Sequence, residues 1–161
     1  MGSYRLPRTS SPLQVAAVCY RRRRTSVEFL LVNTNGGKWT FPKGRVEPHL
    51  SHSEAAQSEA VEEAGAIGLI DPSHFQLYVH SKGVFWRPGG VQEYVVKAFL
   101  LEVERVVTPH ESGRNPTWFT PTEAKKALKS GREVKYANEL QLVVDLALEK
   151  IRTRRVRVLA E

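Results

Sequence analysis

Residues 41–67 read FPKGRVEPHLSHSEAAQSEAVEEAGAI. The stretch opens on a Pro-Lys-Gly turn and passes into a short helix carrying Glu59, Glu62 and Glu63. At about 3.6 residues per turn these three carboxylates fall within roughly 100° of one helical face. Like charges so close destabilise a helix unless a cation sits over them, and a divalent metal is the simplest candidate. Ala56, Ala60, Val61, Ala64 and Ile67 occupy the neighbouring arc, so one side is expected to bury while the acidic side faces a cleft. Ser51 and Glu54 have capping-box spacing and set the helix start. Gly65, followed by Ala66 and Ile67, supplies a left-handed residue to end it. A solvated acidic face is the plain alternative for any Glu-Glu pair, but it leaves the Gly turn, the cap and the terminal Gly unexplained.

This combination resembles the Nudix box, whose pattern runs Gly, five residues, Glu, seven residues, Arg-Glu, apolar, any, Glu-Glu, any, Gly, apolar. Anchored on Gly44, the chain supplies Glu59, Ala60, Glu62, Glu63, Gly65 and Ala66 at the matching offsets. It departs at Leu50, where the pattern has its first Glu, and at Ser58, where it has Arg. Some branches related to diphosphoinositol polyphosphate hydrolases lack that first Glu. The family Arg orients a glutamate through a charge-assisted hydrogen bond, which a serine does not reproduce, and Arg45 in the adjoining loop is a candidate substitute. The run 38–44, KWTFPKG, is similar to the entry sequence of diadenosine tetraphosphate and diphosphoinositol phosphate hydrolases. The paired runs 14–20 and 27–33 look like the opening strands of such a domain, and Trp118-Phe119 resembles its late strand.

The resemblance implies an α+β fold, an α/β/α sandwich with a mixed central sheet between helices, over residues 13–151. It implies hydrolysis of a pyrophosphate linkage in a nucleoside diphosphate derivative, dinucleoside polyphosphate or diphosphoinositol polyphosphate. Mg2+ or Mn2+ would be the cofactor, with Glu59 and Glu63 as direct ligands, Glu62 direct or through water, and the Lys43 carbonyl as a backbone ligand. Lys43 and Gly44 would bind substrate, the lysine ammonium lying near a phosphate or, alternatively, in solvent. Glu59 could also deprotonate water, and spacing alone does not divide base from ligand. Glu93 and Glu111 are further candidates for a base from a later loop, each weighed against an ordinary surface carboxylate. Glu47 is equally able to brace its loop through a salt bridge. The alternative function is a catalytically weakened binding module of the same fold, holding a phosphorylated ligand or RNA.

Composition sets wider bounds. A chain of 161 residues with 41% hydrophobic and 25% charged content is the size and make-up of one globular domain. No apolar run approaches the roughly 20 residues that span a bilayer. An apolar signal-peptide centre is lacking near the start, and Leu6 departs from the Met-Gly myristoylation pattern. The single cysteine, Cys19, falls in a buried strand pattern and reads as a core residue, consistent with a reducing cytoplasm. The five histidines lack zinc-site spacing. Net charge is +7, with Arg5, Arg8 and Arg21 to Arg24 before any acidic residue, and Arg152, Arg154, Arg155 and Arg157 near the end. Such a surface attracts polyanions, of which a phosphorylated small molecule is preferred here to nucleic acid. Arg21 to Arg24 otherwise read as a solvated hairpin turn.

Along the chain, residues 1–12 read as a flexible leader and 152–161 as a basic, fraying tail. Strands are expected at 75–81 and 91–103, with a hairpin turn at Pro88-Gly89-Gly90 and a loop over 108–116. Lys82 and Arg87, flanking Phe85-Trp86, form either a basic and aromatic wall or an ordinary hairpin tip. Trp39 and Trp118 read as core or cleft-edge residues. Thr120-Pro121-Thr122-Glu123 starts one helix. A last helix over 137–151 carries Leu140, Val143, Val144, Ala147 and Ile151 on one stripe. The oligomeric state is open.

Overall fold

Val15 to Tyr20 are all fully buried, six consecutive residues. Because successive side chains of a strand point to opposite faces, such a run requires a sheet covered on both sides. The structure, a computed structural model, describes residues 11–84 and 90–160. In chain order it contains β1 (Leu13–Arg22), β2 (Val27–Asn33), β3 (Trp39–Thr40), β4 (Lys43–Arg45) and α1 (His52–Glu59). A π-helical turn (Ala60–Ala64) follows, then β5 (Ala66–Ile70), β6 (Gln76–Val84), β7 (Gly90–Val106) and β8 (Thr117–Phe119). Two helices close the chain, α2 (Pro121–Lys129) and α3 (Val134–Ala160).

The central sheet runs β3-β2-β1-β7-β5, with β4 also paired to β1, β6 to β7 and β8 to β2. Only the β1–β7 pairing is parallel among the recorded strand pairs of the described residues, so the sheet is mixed. Alternation divides the core in two. Ala16, Val18, Tyr20, Phe29, Leu31, Val96, Ala98 and Leu100 face α2 and α3, which contribute Ala124, Leu128, Leu140, Val143, Val144, Ala147 and Ile151. Val15, Ala17, Cys19, Leu30, Val32, Phe99 and Leu101 face the alanines of α1 and the π-turn. The expected α/β/α sandwich is therefore the observed one.

Several boundaries shift for local reasons. The Pro12 carbonyl accepts the Val95 N–H at 3.0 Å, so sheet bonding begins within the expected leader. α3 begins at Val134 and passes Ile151 as a helix to Ala160. The apolar stripe ends at Ile151, whereas the arginines beyond it are good helix formers. Arg154 fastens that extension through Asp71 at 2.6 Å and the Tyr20 hydroxyl at 3.3 Å. The expected turn at Pro88-Gly89, with Phe85, Trp86 and Arg87, lies outside the described residues. Among the described residues no helix is long and apolar enough to cross a membrane.

Gly65 joins the acidic segment to the sheet. Its φ of +66° is the left-handed conformation expected of it, and a Cβ there would run into the Val107 carbonyl. The Val107 N–H in turn donates to the Gly65 carbonyl at 2.8 Å. Gly65→Ala is expected to lose more than about 1 kcal/mol of stability, since both backbone conformation and space oppose it. Chemical denaturation measures this, and an unchanged midpoint would refute the packing argument.

Candidate active site

α1 starts as its sequence dictates. The Ser51 hydroxyl accepts the Glu54 N–H at 3.1 Å and the Glu54 carboxylate accepts the Ser51 N–H at 2.8 Å. The face it turns to the sheet is made of Ala55 and Ala56, continued by Ala60 and Ala64 in the π-turn. Methyl side chains let the backbone approach the strands closely, and this brings the carboxylates down onto β4. Glu59 lies so near Gly44 that a Cβ on residue 44 would overlap its carboxylate. Gly44 is needed there for space. Leu50, at the position where the resembled pattern has Glu, packs against the same apolar cluster as Ala55 and Ala56.

The acidic face is not the regular α-helical one expected. After Glu59 the helix widens into the π-turn, closed by the Gly65 N–H on the carbonyls of Ala60 and Val61. Widening changes the angular offset between Glu59 and Glu63, a feature frequent at functional sites. Glu63 ends up only 5% exposed, whereas Glu59 and Glu62 are half-buried. Val61, expected inside, is half-exposed, and Ile67 belongs to β5, so Ala55 takes the buried place.

Two groups hold the Glu63 carboxylate. The Lys43 backbone N–H donates to Oε1 at 3.2 Å, and the Arg114 guanidinium pairs with Oε2 at 3.5 Å. Burial nevertheless raises the Glu63 pKa above the ordinary carboxylate value, opposed chiefly by Arg114 and the Lys43 N–H. Glu59 is pushed up to about 8, first by burial, then by the charges of Glu63, Glu62 and Glu111 and by a hydrogen bond with Glu63. The Lys43 ammonium is pushed down to about 8 by burial, with Glu63 working against that and Arg132, Arg114 and Lys82 adding to it. Lys43 is thus half-buried beside Glu63, where a solvent-facing loop lysine was the alternative.

Beside these residues opens a cavity of about 460 Å³. Lys38, Lys43, Lys82, Arg114 and Arg132 line it against the carboxylates of Glu63 and Glu133. Tyr94, His80 and Tyr136 line it as well, the His80 and Tyr94 rings lying 5.9 Å apart and tilted by 31°. Burial, helped by Lys43 and Arg132, lowers the His80 pKa to about 3, so its ring is uncharged at neutral pH. The cavity therefore offers both cations and flat rings beside the carboxylates.

The structure sorts the remaining sequence candidates. Glu111 reaches the acidic cluster: its N–H donates to the Glu62 carbonyl at 2.8 Å, and its charge acts on Glu59. Glu93 instead accepts the Tyr136 hydroxyl at 2.6 Å and ties β7 to α3. Glu47 and Arg45 are exposed and enter no ion pair among the described residues. Arg114, which sequence reading missed, is the guanidinium that meets Glu63. Its only signal was its place in the loop that carries Glu111. Trp39 packs edge-on against Phe119 at 4.9 Å and Trp118 lies under Arg21 at 4.1 Å, so both are packed side chains. Cys19 is buried with its thiol pushed up to about 12, a core residue as expected. Three arginines of the hairpin are ion-paired and not merely solvated: Arg21 and Arg23 pair with Glu28, and Arg22 with Glu102.

Carboxylate oxygens are hard donors suited to magnesium or manganese, and the fit can be judged from charge. Four carboxylates, Glu59, Glu62, Glu63 and Glu111, act on one another against Lys43 and Arg114. Glu59 is driven towards holding a proton, the mark of a site short of positive charge. Among the described residues no three acidic, histidine or cysteine side chains already converge as a ligand set. Magnesium commonly takes one or two carboxylates and keeps several waters, so the Glu59–Glu63 pair is sufficient to fit.

Residues 12–138 match the NUDIX domain. Nudix hydrolase 16, mitochondrial, of Arabidopsis thaliana is 27% identical over 106 residues, 64% of this chain and 59% of that protein. Nudix hydrolase 17, mitochondrial, of the same plant is 28% identical over 64% of this chain and 55% of its own length. The chain thus spans less than two thirds of these relatives. Among solved structures, a binary complex of a C. elegans Ap4A hydrolase superposes with a TM-score of 0.63 at 21% identity, covering 88% of this chain and 98% of that one. The NUDIX domain of Shewanella oneidensis NrtR, complexed with ADP ribose, gives 0.62 at 14% identity, covering 88% and 89%. Taken with the domain match across most of its length, these likenesses accord with the sandwich and its acidic turn: the chain belongs to the Nudix family.

Proposed function

We propose that this protein is a divalent-cation-dependent hydrolase of pyrophosphate linkages, acting on a nucleoside diphosphate derivative or a dinucleoside polyphosphate. The observation that carries the reading is the Glu59–Glu63 pair, short of positive charge, beside a cavity lined by Lys43, Lys82 and Arg132. Glu59, Glu63 and, through water or directly, Glu62 would hold Mg2+ or Mn2+, with the Lys43 carbonyl as a backbone ligand. When bound, such a cation neutralises anhydride oxygens and makes a bound water more acidic.

The protein's own groups supply the rest. Lys43, Lys82 and Arg132 attract and orient a chain of phosphates by charge. Gly44 leaves room for the Glu59 carboxylate against the strand. Glu59, half-buried beside Glu63, or Glu111, the other carboxylate in reach of the cluster, would accept a proton from an attacking water. Tyr94 and uncharged His80 offer ring surface to a nucleobase, which favours a nucleoside polyphosphate over a diphosphoinositol polyphosphate. The C. elegans Ap4A hydrolase likeness supports the same choice.

The test is a panel of nucleoside diphosphate derivatives, dinucleoside polyphosphates and diphosphoinositol polyphosphates incubated with Mg2+ or Mn2+. Turnover of a nucleotide member is expected, and Glu63→Gln should lower it by at least about 100-fold with the fold intact. Full activity in that variant, or turnover independent of added cation after chelation, overturns the assignment.

A second prediction concerns pH. Since the folded-state pKa of Glu59 is raised from 4.5 to about 8, the folded protein binds that proton more tightly than the unfolded chain. The associated stability is present below about pH 4.5 and is lost as pH rises towards 8. His80, with its pKa lowered from 6.5, contributes in the opposite sense below pH 6.5. The window from pH 6.5 to 8 lies above that His80 contribution, and the shifted Lys43 and Glu63 are present in both wild type and Glu59→Gln, so the comparison of the two isolates Glu59. In this window the cation-free protein should lose melting temperature relative to Glu59→Gln, and Mg2+ should raise the wild-type value more at pH 8 than at pH 6.5. Parallel melting curves for the two proteins across that window would exclude the buried-charge account.

A further inference from the structure

The strongest feature outside the resembled motif is the side chain that meets Glu63. At position 58, where that motif has an arginine to orient a glutamate, stands an exposed serine. The guanidinium that pairs with Glu63 comes instead from the loop between β7 and β8. We infer that Arg114 is the positioning residue for Glu63, fixing its carboxylate for cation binding in place of an arginine on the acidic helix itself. This rests on the hydrolase reading above only for its turnover arm.

Arg114 is held at every nitrogen of its guanidinium. Its Nη1 donates to the Asn33 carbonyl at 3.1 Å and its Nε to Glu111 Oε1 at 2.9 Å. Its Nη2 also pairs with Glu111 at 2.9 Å and with Glu63 Oε2 at 3.5 Å. The backbone is tied as well, the Arg114 carbonyl accepting the Asn33 N–H at 2.7 Å. The loop is pinned to the acidic segment at two further points, Val107 N–H on the Gly65 carbonyl and Glu111 N–H on the Glu62 carbonyl, each at 2.8 Å. Five planar donors in a fixed fork allow one guanidinium to serve β2, Glu111 and Glu63 together. A lysine ammonium keeps the charge but cannot span those three directions.

Two other roles compete. Arg114 could be a bare counter-ion to the acidic cluster, for which charge alone suffices. It also lines the cavity and could contact a substrate phosphate. The full chain with Arg114→Lys separates all three, with Arg114→Ala beside it. Because Arg114→Lys keeps the charge and the loop's backbone bonds, it decides the matter even if the alanine variant fails to fold.

Three quantities are measured: kcat and KM on the best panel substrate, the Kd of a methylene-bridged nucleoside polyphosphate analogue, and Mn2+ binding to the substrate-free protein by electron paramagnetic resonance. Positioning predicts that Arg114→Lys lowers kcat by about 10–100-fold and weakens Mn2+ binding by about tenfold, with KM and analogue Kd within about twofold of wild type. Wild-type kcat and Mn2+ affinity in Arg114→Lys would overturn it in favour of a counter-ion. A raised KM and analogue Kd with kcat retained would overturn it in favour of a phosphate contact. Should the wild-type protein cleave no anhydride, the hydrolase reading falls, while the Mn2+ arm still decides Arg114 because it needs no turnover.

Discussion

A carboxylate buried as deeply as Glu63 must be held at both oxygens, or burial would leave it protonated and without a fixed direction. Here one oxygen takes a backbone N–H from β4 and the other faces a guanidinium from the β7–β8 loop. Three separate parts of the chain therefore meet at one side chain. β4 is placed by its pairing with β1, where Lys43 faces Ala16. The loop is placed by Gly65 and Glu62, and the π-turn by alanines packed on the sheet. Shifting any one of these would move Glu63, so the placement of the site depends on the sandwich that carries it.

The same constraint explains two small residues and a helix irregularity. Gly44 and Gly65 each stand where a side chain would strike another part of the site, a carboxylate in one case and a carbonyl in the other. The π-turn carries Glu63 inward while Glu59 stays half-buried beside it. The two carboxylates consequently differ in environment. Burial is opposed by two partners at Glu63, whereas at Glu59 it is reinforced by neighbouring negative charge. A pair of like groups with unlike surroundings is how one cluster can both retain a charged ligand and handle a proton.

Much of this was legible beforehand because it was local. The capping box, the left-handed Gly65, the strand runs 14–20 and 27–33 and the apolar stripe of α3 are each read within a short stretch of chain, and the structure repeats them. What a 3.6-residue period could not show was the widening at Ala60, so Val61 was misplaced and the burial of Glu63 was missed. Nor could local spacing pair residues 63 and 114. Arg45 was nearer in sequence, but it is exposed, whereas Arg114 arrives through β8, whose pairing with β2 sets the loop beside Asn33. Contacts closed by strand order lie beyond any local pattern. The proposed preference for a nucleotide rests on contacts of the same kind, since His80, Tyr94 and Tyr136 come together only when β6, β7 and α3 are assembled.

Charge distribution adds the last step. A net charge of +7 suggested a surface that attracts polyanions, with Arg21 to Arg24 either part of it or a solvated hairpin turn. In the fold, Arg21, Arg22 and Arg23 are matched by Glu28 and Glu102, and Arg154 by Asp71. Ion pairs of this kind cancel the far field of the groups involved. Lys38, Lys82 and Arg132, by contrast, line the cavity and enter no ion pair among the described residues. Unmatched charge in a concave, partly desolvated space exerts a stronger pull than the same charge spread on a convex surface. The excess is thus best placed to act on an anion entering beside Glu59 and Glu63, where carboxylates alone would repel it. A cluster of acids at the edge of a basic cavity is the arrangement needed to bring an anionic chain up to a site that itself carries negative charge.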